Sequence, residues 1–339
     1  MNKTISTRQL IIFYCIYSFS IKFLSLPSLL SATAGKDAWI SALVGVVIEL
    51  GFLFLALLWL KNCDKSIYES LILKKNKVTH TASILIAKII LATFLGIFFY
   101  QILILTEQTY NLLNDNLFDY VPPMIFSIPL LLLGIFFCFM PSRSIFRSGE
   151  VFFVFIIFGI ILSVFPALSS INSGEVTPIF EHGAKPIFLA VGKNIIYFES
   201  VLFLLMFKGE INISKHFLKK FMSWAVILAA FFVFFVFMFY SLFGPLAPTK
   251  NIAVTNFTIH SAFITTSGRL DWILISMWLL LVALRFGVTF FCAFKCMKFL
   301  TAEVSAKFQK YNGVITLVLS LVLTVAVYCI YSFVGVPYA

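Results

Sequence analysis

Apolar residues run in long unbroken blocks along this chain, and polar residues gather between them. Stretches of spanning length fall at 10–30, 38–60, 83–106, 123–140, 151–168, 186–207, 222–243, 270–295 and 313–336. A helix rises about 1.5 Å per residue, so about 20 apolar residues cross a hydrocarbon core about 30 Å thick. The blocks are continuous and do not alternate with a period of two, which excludes a membrane β-barrel. The pattern predicts an all-α polytopic membrane protein with about nine transmembrane helices in a single domain, 1–339. The longest outer connection, 244–269, carries Pro245, Pro248 and Gly268, and its segment 252–265 reads either as a short interfacial helix or as an ordered loop.

Composition removes the soluble alternatives. Hydrophobic residues make up 61% of the 339 positions, charged residues 12%, and Phe alone fills 42. Mean hydropathy is +1.04. A soluble domain is roughly 45–50% apolar and about 25% charged, so a soluble enzyme, a disordered chain and a disulfide scaffold are excluded.

The net charge of +11 would suggest nucleic acid in a soluble protein. Here it belongs to the loops, because cytoplasmic loops of membrane proteins carry excess Lys and Arg. With the N-terminus inside, the cytoplasmic segments hold 17 Lys and Arg and the outer segments 4 (Lys36, Lys185, Lys250 and Arg269). This places the N-terminus in the cytoplasm and, after nine spans, the C-terminus outside. Lys3 and Arg8 followed by Ala32-Thr33-Ala34 have the outline of a signal peptide, but Lys22 interrupts the apolar region, so the first span is expected to stay. Cys292 and Cys296 lie one helical turn apart, which suits packing; no disulfide is expected. No P-loop, H-E-x-x-H, dinucleotide fingerprint or G-x-S-x-G is present, and the four histidines fall at span ends or in loops. No enzyme activity, cofactor or metal is expected.

Buried charge is the chemistry that remains. Lys22 in span one, Glu49 in span two, Glu199 in span six and Arg285 in span eight each lie roughly 16–23 Å into a core about 30 Å thick. A charge at the bilayer centre costs about 2.5–3.5 kcal/mol on insertion scales, so these residues should face a protein interior or cavity. Two are cations and two are anions, so they can neutralise one another. Their readings are a ligand or ion site, or a structural ion-pair network. Lys88 and Lys193 lie closer to span ends and can snorkel.

Two spans also carry helix breakers. Pro27 in span one removes a backbone donor and frees a carbonyl one turn earlier. Gly192-Lys193-Asn194 weakens span six. Discontinuous helices expose backbone groups that bind carboxylates or ions near mid-membrane. The pair predicted to line a site is therefore spans one and six. A weak inverted duplication, spans one to five against the rest, fits the same picture.

Several of these residues carry a resemblance. Leu26-Pro27-Ser28 followed by Ala34-Gly35-Lys36-Asp37-Ala38-Trp39-Ile40-Ser41 resembles the first hairpin of the endospore germination permeases, the B subunits of spore germinant receptors. These are members of the amino acid–polyamine–organocation transporter superfamily. Ile5-Ser6-Thr7-Arg8-Gln9-Leu10, Gly183-Ala184-Lys185-Pro186, Glu199, and Arg285 after Trp278 are similar to the same family. The resemblance implies a transporter-like inverted-repeat fold in which spans one and six are unwound and spans three and eight flank the pocket. It implies a small-molecule germinant such as an amino acid or nucleoside, and A-type and C-type (lipoprotein) partner subunits in the spore inner membrane. Ser20-Ile21-Lys22 stands where the family has Gly-x-Gly, so backbone approaches a ligand less closely and Lys22 projects an ammonium into the pocket. Ile196-Tyr197-Phe198 replaces Pro-Phe-Gly before the span-six acid, and a tenth span is usual in the family. Two other functions stay open: a stand-alone proton-coupled amino-acid permease in the cell membrane, and a structural membrane subunit with no ligand.

Overall fold

The computed structural model describes residues 5–62, 67–71, 77–116, 123–168, 171, 173–181, 183–250, 253, 256–257, 271–301, 318 and 322. Span one begins as β1 (Ile5–Ser6) and continues as α1 (Thr7–Leu24) and α2 (Leu26–Ala34). After a tight turn come α3 (Ala38–Lys61), α4 (Ile67–Leu71), α5 (Lys77–Asn116), α6 (Pro123–Phe139) and α7 (Ser142–Ala167). Span six is split into α8 (Ala184–Asn194) and α9 (Glu199–Met206), followed by β2 (Ile211–Asn212), α10 (Phe217–Phe243) and α11 (Asp271–Thr301). The protein is all-α and polytopic. Among the described residues five helical stretches are long and apolar enough to cross a membrane: Leu26–Lys61, His80–Asn114, Ser142–Leu162, Phe217–Thr249 and Ile275–Leu300. Ile125–Phe139 is a shorter apolar helix. The stretch expected over 313–336 lies outside the described residues except for Val318 and Val322, and the segment 252–265 does so except for Ala253, Asn256 and Phe257.

Several helices run past the apolar block that announced them. The stretch at 83–106 lies inside α5, and that at 151–168 overlaps α7, which starts nine residues earlier, at Ser142. Hydropathy marks the part of a helix that sits in lipid, while backbone hydrogen bonding continues the helix into polar sequence.

The start of α1 is capped by its own sequence. Ser6 N–H donates to Gln9 Oε1 at 3.0 Å, and Gln9 N–H donates to Ser6 Oγ at 3.2 Å, a reciprocal capping box. β1 pairs in parallel with β2, Ile5 opposite Ile211 and Ser6 opposite Asn212. Ile5 N–H also donates to the Glu210 carbonyl at 3.1 Å. The first residues of span one are thus tied to the segment that follows span six.

In the bundle, α11 lies against α5, α6 and α7, α10 lies against α3, and α1 is enclosed by α7, α10 and α11. Lipid offers no hydrophobic drive for helices to associate, so close packing must hold them. Phenylalanine provides much of it: Phe13 meets Phe146 at 4.9 Å between centroids, and Tyr17 stacks on Phe203 at 4.6 Å. Gly287 of α11 faces the Phe137 ring of α6, where an added methyl would sit 2.7 Å from ring carbon, so only glycine permits this approach. The outward faces are apolar, as Val47, Leu55, Leu85, Ile89, Val154 and Phe165 illustrate. In water such a surface would aggregate; in a bilayer it is solvated.

Polar contacts tie down the turn between α2 and α3. Asp37 accepts the Phe180 N–H at 3.0 Å, and Lys36 Nζ lies 2.8 Å from Glu181. The hydrogen bond to Glu181 raises the Lys36 pKa above the ordinary lysine value. From the lysine side, this contact therefore persists through neutral pH and is lost only as alkali carries the pH through that raised value.

Candidate functional site

Spans one and six are both interrupted, and both breaks are narrower than an unwound segment. Span one breaks at Ser25, where φ is −116° and ψ −25°. Pro27 is the cause: it has no N–H for the carbonyl of Phe23, and its ring would collide with that carbonyl in a continuous helix. Span six tightens into a single 3-10 turn, Ile195–Tyr197, before α9 opens at Glu199. The break was expected at Gly192 to Asn194, but α8 continues through all three residues. A glycine costs a helix only about 1 kcal/mol relative to alanine, and α8 is held by packing on α2 and α3.

The two interruptions meet. Ser25 Oγ lies 3.3 Å from the Tyr197 hydroxyl and accepts a hydrogen bond from Gln108 Nε2 of α5 at 2.7 Å. Spans one, three and six therefore converge on one hydroxyl. Sequence reasoning missed Ser25, Gln108 and Tyr197. A signal was present: Gln101 and Gln108 lie seven residues apart, on one face of α5, and the apolar block at 83–106 stops just short of the second.

The buried charges settle around this junction. Lys22, Glu49 and Arg285 are 6%, 3% and 2% exposed. Lys22 Nζ forms an ion pair and hydrogen bond with Glu49 Oε1. The same carboxylate oxygen accepts from Ser200 Oγ of α9 at 2.8 Å. Lys22 is thus joined to Glu49 across spans one and two, and Ser200 brings in span six. Beside the pair lies a cavity of about 20 Å³, bordered by Tyr14, Ser18, Val46 and Phe232. That volume holds one water molecule and is far below that of an amino acid.

Arg285 takes a different set of partners. Its Nη1 donates to the Tyr17 carbonyl at 2.6 Å and to Ser20 Oγ at 2.9 Å. The guanidinium carbon stands 4.4 Å from the centre of the Tyr17 ring, within range of a cation–π contact. The Tyr17 hydroxyl lies 3.0 Å from Thr289 Oγ1, which donates to the Arg285 carbonyl at 2.9 Å. Ser20 occupies the first position of the replaced Gly-x-Gly, and here its hydroxyl serves Arg285. Span eight is thereby fastened to span one two turns before the Ser25 break. The Glu199 side chain lies outside the described residues; its backbone forms the first residue of α9.

Asn194, at the last residue of α8, is 1% exposed, and neither polar atom of its amide has a hydrogen-bond partner among the described residues. It faces Gly45 of α3, where a Cβ would collide with the amide. Buried polar groups are nearly always satisfied, so a buried amide with both ends unmet is an exception that needs an explanation. One turn further along α3, Glu49 meets Ser200, so α3 lines span six on both sides of its tightened turn.

Below the junction, toward the β1–β2 pair, two lysines are held against acid and aromatic groups. Lys295 Nζ lies 2.7 Å from Glu210 Oε1 and 4.0 Å from the centre of the Phe207 ring. Lys208 Nζ stands 3.3 Å over the Trp59 ring. Among the described residues no cluster of three or more metal-ligating side chains is found.

Comparison with curated proteins finds no match. The model of the spore germination protein family, the spore permeases, matches residues 4–334, nearly the whole chain. With broken spans one and six meeting in an all-α membrane bundle, and with that match, the chain belongs to the spore germination protein family.

Proposed function

We propose that this chain is the integral-membrane B subunit of a spore germinant receptor and senses an amino acid-like germinant at a mid-membrane site. The carrying observation is the junction itself: two interrupted helices share the Ser25 hydroxyl, with a buried unsatisfied amide, Asn194, beside them. The Ser25–Gln108–Tyr197 contacts stand where a ligand's polar groups would go. Binding exchanges these protein–protein hydrogen bonds for protein–ligand ones, with the Asn194 amide and Glu199 receiving the ligand amine and Arg285 receiving its carboxylate. The water-sized cavity beside Lys22 belongs to a closed conformation. A ligand that binds the open arrangement more tightly shifts the population toward it.

The Lys22–Glu49 pair gives Lys22 its part in this reading. Its ammonium is an internal cation that fastens span one to span two, and Ser200 extends the fastening to span six. The signal passes to A-type and lipoprotein C-type subunits through basic loops such as 215–220. The N-terminus lies in the cytoplasm, on the side of the β1–β2 pair, and the membrane is that of the spore. Spores carrying Glu199→Gln are expected to lose the germination response to a panel of amino acids while keeping normal amounts of the protein in the membrane. A normal dose–response in that variant refutes the role given to Glu199. Lys22→Gly is expected to alter ligand preference when combined with Glu49→Gln, which avoids stranding a carboxylate; unchanged preference makes Lys22 structural.

One observation favours a second reading. A buried Lys–Glu pair next to a single water site is a suitable proton-binding element for a stand-alone proton-coupled permease. Amino-acid uptake into vesicles driven by a pH gradient, with no other subunit present, would establish that reading over the first.

A further inference from the structure

A large cavity lies away from the helix breaks. It lies at the basic end of the bundle, between the start of α1, α7 and α10, and measures about 810 Å³. This is the volume of a pocket for a sizeable molecule.

Its lining is graded along α1. At the end nearest β1 and β2 it is polar, with Arg8, Asn212, Ser214 and Lys220. Deeper along the helix it is apolar, with Ile11, Ile12 and Cys15 facing Phe153 and Trp224. Ser6 to Cys15 spans about 14 Å at the helical rise. The gradient therefore runs from water toward hydrocarbon, as the gradient along a phospholipid does.

The charges at the mouth favour an anion. Lys220 is exposed, and its ammonium makes no ion pair among the described residues. Arg8 is 82% exposed at its side chain, with Nε 3.8 Å from Glu150 Oε1. Glu150, the carboxylate in contact with this rim, also accepts from Gln9 Nε2 at 3.0 Å, so part of its charge is already met. The α1 N-terminus is already occupied by the Ser6–Gln9 capping box. Trp224 is half-exposed, one turn after Lys220 on α10, and an indole just past a basic residue is common where a helix enters the membrane.

We infer that this crevice binds an anionic phospholipid of the inner leaflet, with its phosphate between Arg8 and Lys220 and an acyl chain along Ile11, Ile12 and Trp224. Basic pockets between spans on the cytoplasmic side are suited to such headgroups. A seated lipid holds the first two turns of α1 against α10. The inference stands apart from the proposed sensing role and requires only that the chain sit in a bilayer with this end inward.

The test uses the purified full chain in vesicles that contain phosphatidylglycerol or phosphatidylcholine, each with brominated acyl chains. Bromine quenches nearby indoles, and Trp224→Phe identifies the share of quenching due to Trp224. Brominated phosphatidylglycerol diluted into unbrominated phosphatidylcholine is expected to quench Trp224 well beyond its bulk fraction. Lys220→Gln is expected to weaken that enrichment about fivefold, and Arg8→Gln by a similar factor, since each cation near the surface contributes about 1 kcal/mol. Lys220→Arg should retain it. Equal quenching by the two lipids, or enrichment unchanged in Lys220→Gln with Arg8→Gln, overturns the inference. So does protection of Trp224 from both lipids once the partner subunits are bound, which would assign the crevice to a protein.

Discussion

Two buried cations hold the centre of this protein together, and they do so in opposite ways. Lys22 meets a full negative charge, Glu49, whose oxygen is also held by Ser200. Arg285 spreads its charge over a backbone carbonyl, a hydroxyl and the face of an aromatic ring. The first arrangement is neutral as a unit and fails badly when half of it is removed. The second is a set of partial charges, any one of which can be lost at moderate cost. Lysine suits the first because its ammonium is a compact point charge; arginine suits the second because its planar guanidinium can lie against the Tyr17 ring while Nη1 donates to two acceptors.

Removing one partner of the ion pair should have the largest effect. Glu49→Gln leaves a buried ammonium without its counter-charge and should cost about 3–5 kcal/mol, read as a lower melting temperature in detergent and a lower yield. The double variant Lys22→Met with Glu49→Leu should recover most of that loss, because a buried pair replaced by apolar groups is often near neutral. If both variants melt alike, the pair is not the unit described here. Arg285→Lys should come next, at about 2 kcal/mol, since a charge remains but the planar guanidinium against the Tyr17 ring is gone. A loss equal to that of Glu49→Gln would erase the contrast between the cations. Ser200→Ala removes one hydrogen bond to a carboxylate and should cost about 1.5 kcal/mol. Ser25→Ala should cost least, about 1 kcal/mol, yet it should shift the germinant dose–response, because it cuts the contact between the two broken spans. An unchanged response would detach that junction from sensing.

The sequence exposed one side of this contrast better than the other. Lys22, Glu49 and Arg285 stand out in apolar blocks because charge in hydrocarbon is costly, and Pro27 announces the break that follows from its missing donor. The pairing was not readable, since a lysine in span one has two acids at similar depth and nothing in the spacing chooses Glu49. The partners of Arg285 were hidden for a different reason: a main-chain carbonyl belongs to every residue and leaves no mark in the letters. The turn in span six was misplaced toward Gly192 because glycine is visible as a breaker, whereas the 3-10 turn at Ile195–Tyr197 involves residues that are ordinary in helices. Ser25 and Tyr197 are unremarkable residues until the fold brings them face to face.

The short strand pairing at the N-terminus has a mechanical consequence. Spans one and six are each interrupted along their length, yet Ile5 and Ser6 are stitched to Ile211 and Asn212 by main-chain bonds, and Thr7 Oγ1 donates to the Asn212 carbonyl at 3.1 Å. The halves of the two spans nearest the strand pair are therefore yoked like the shafts of a cart: neither can swing outward without drawing the other along, and force applied at either tether reaches both breaks together.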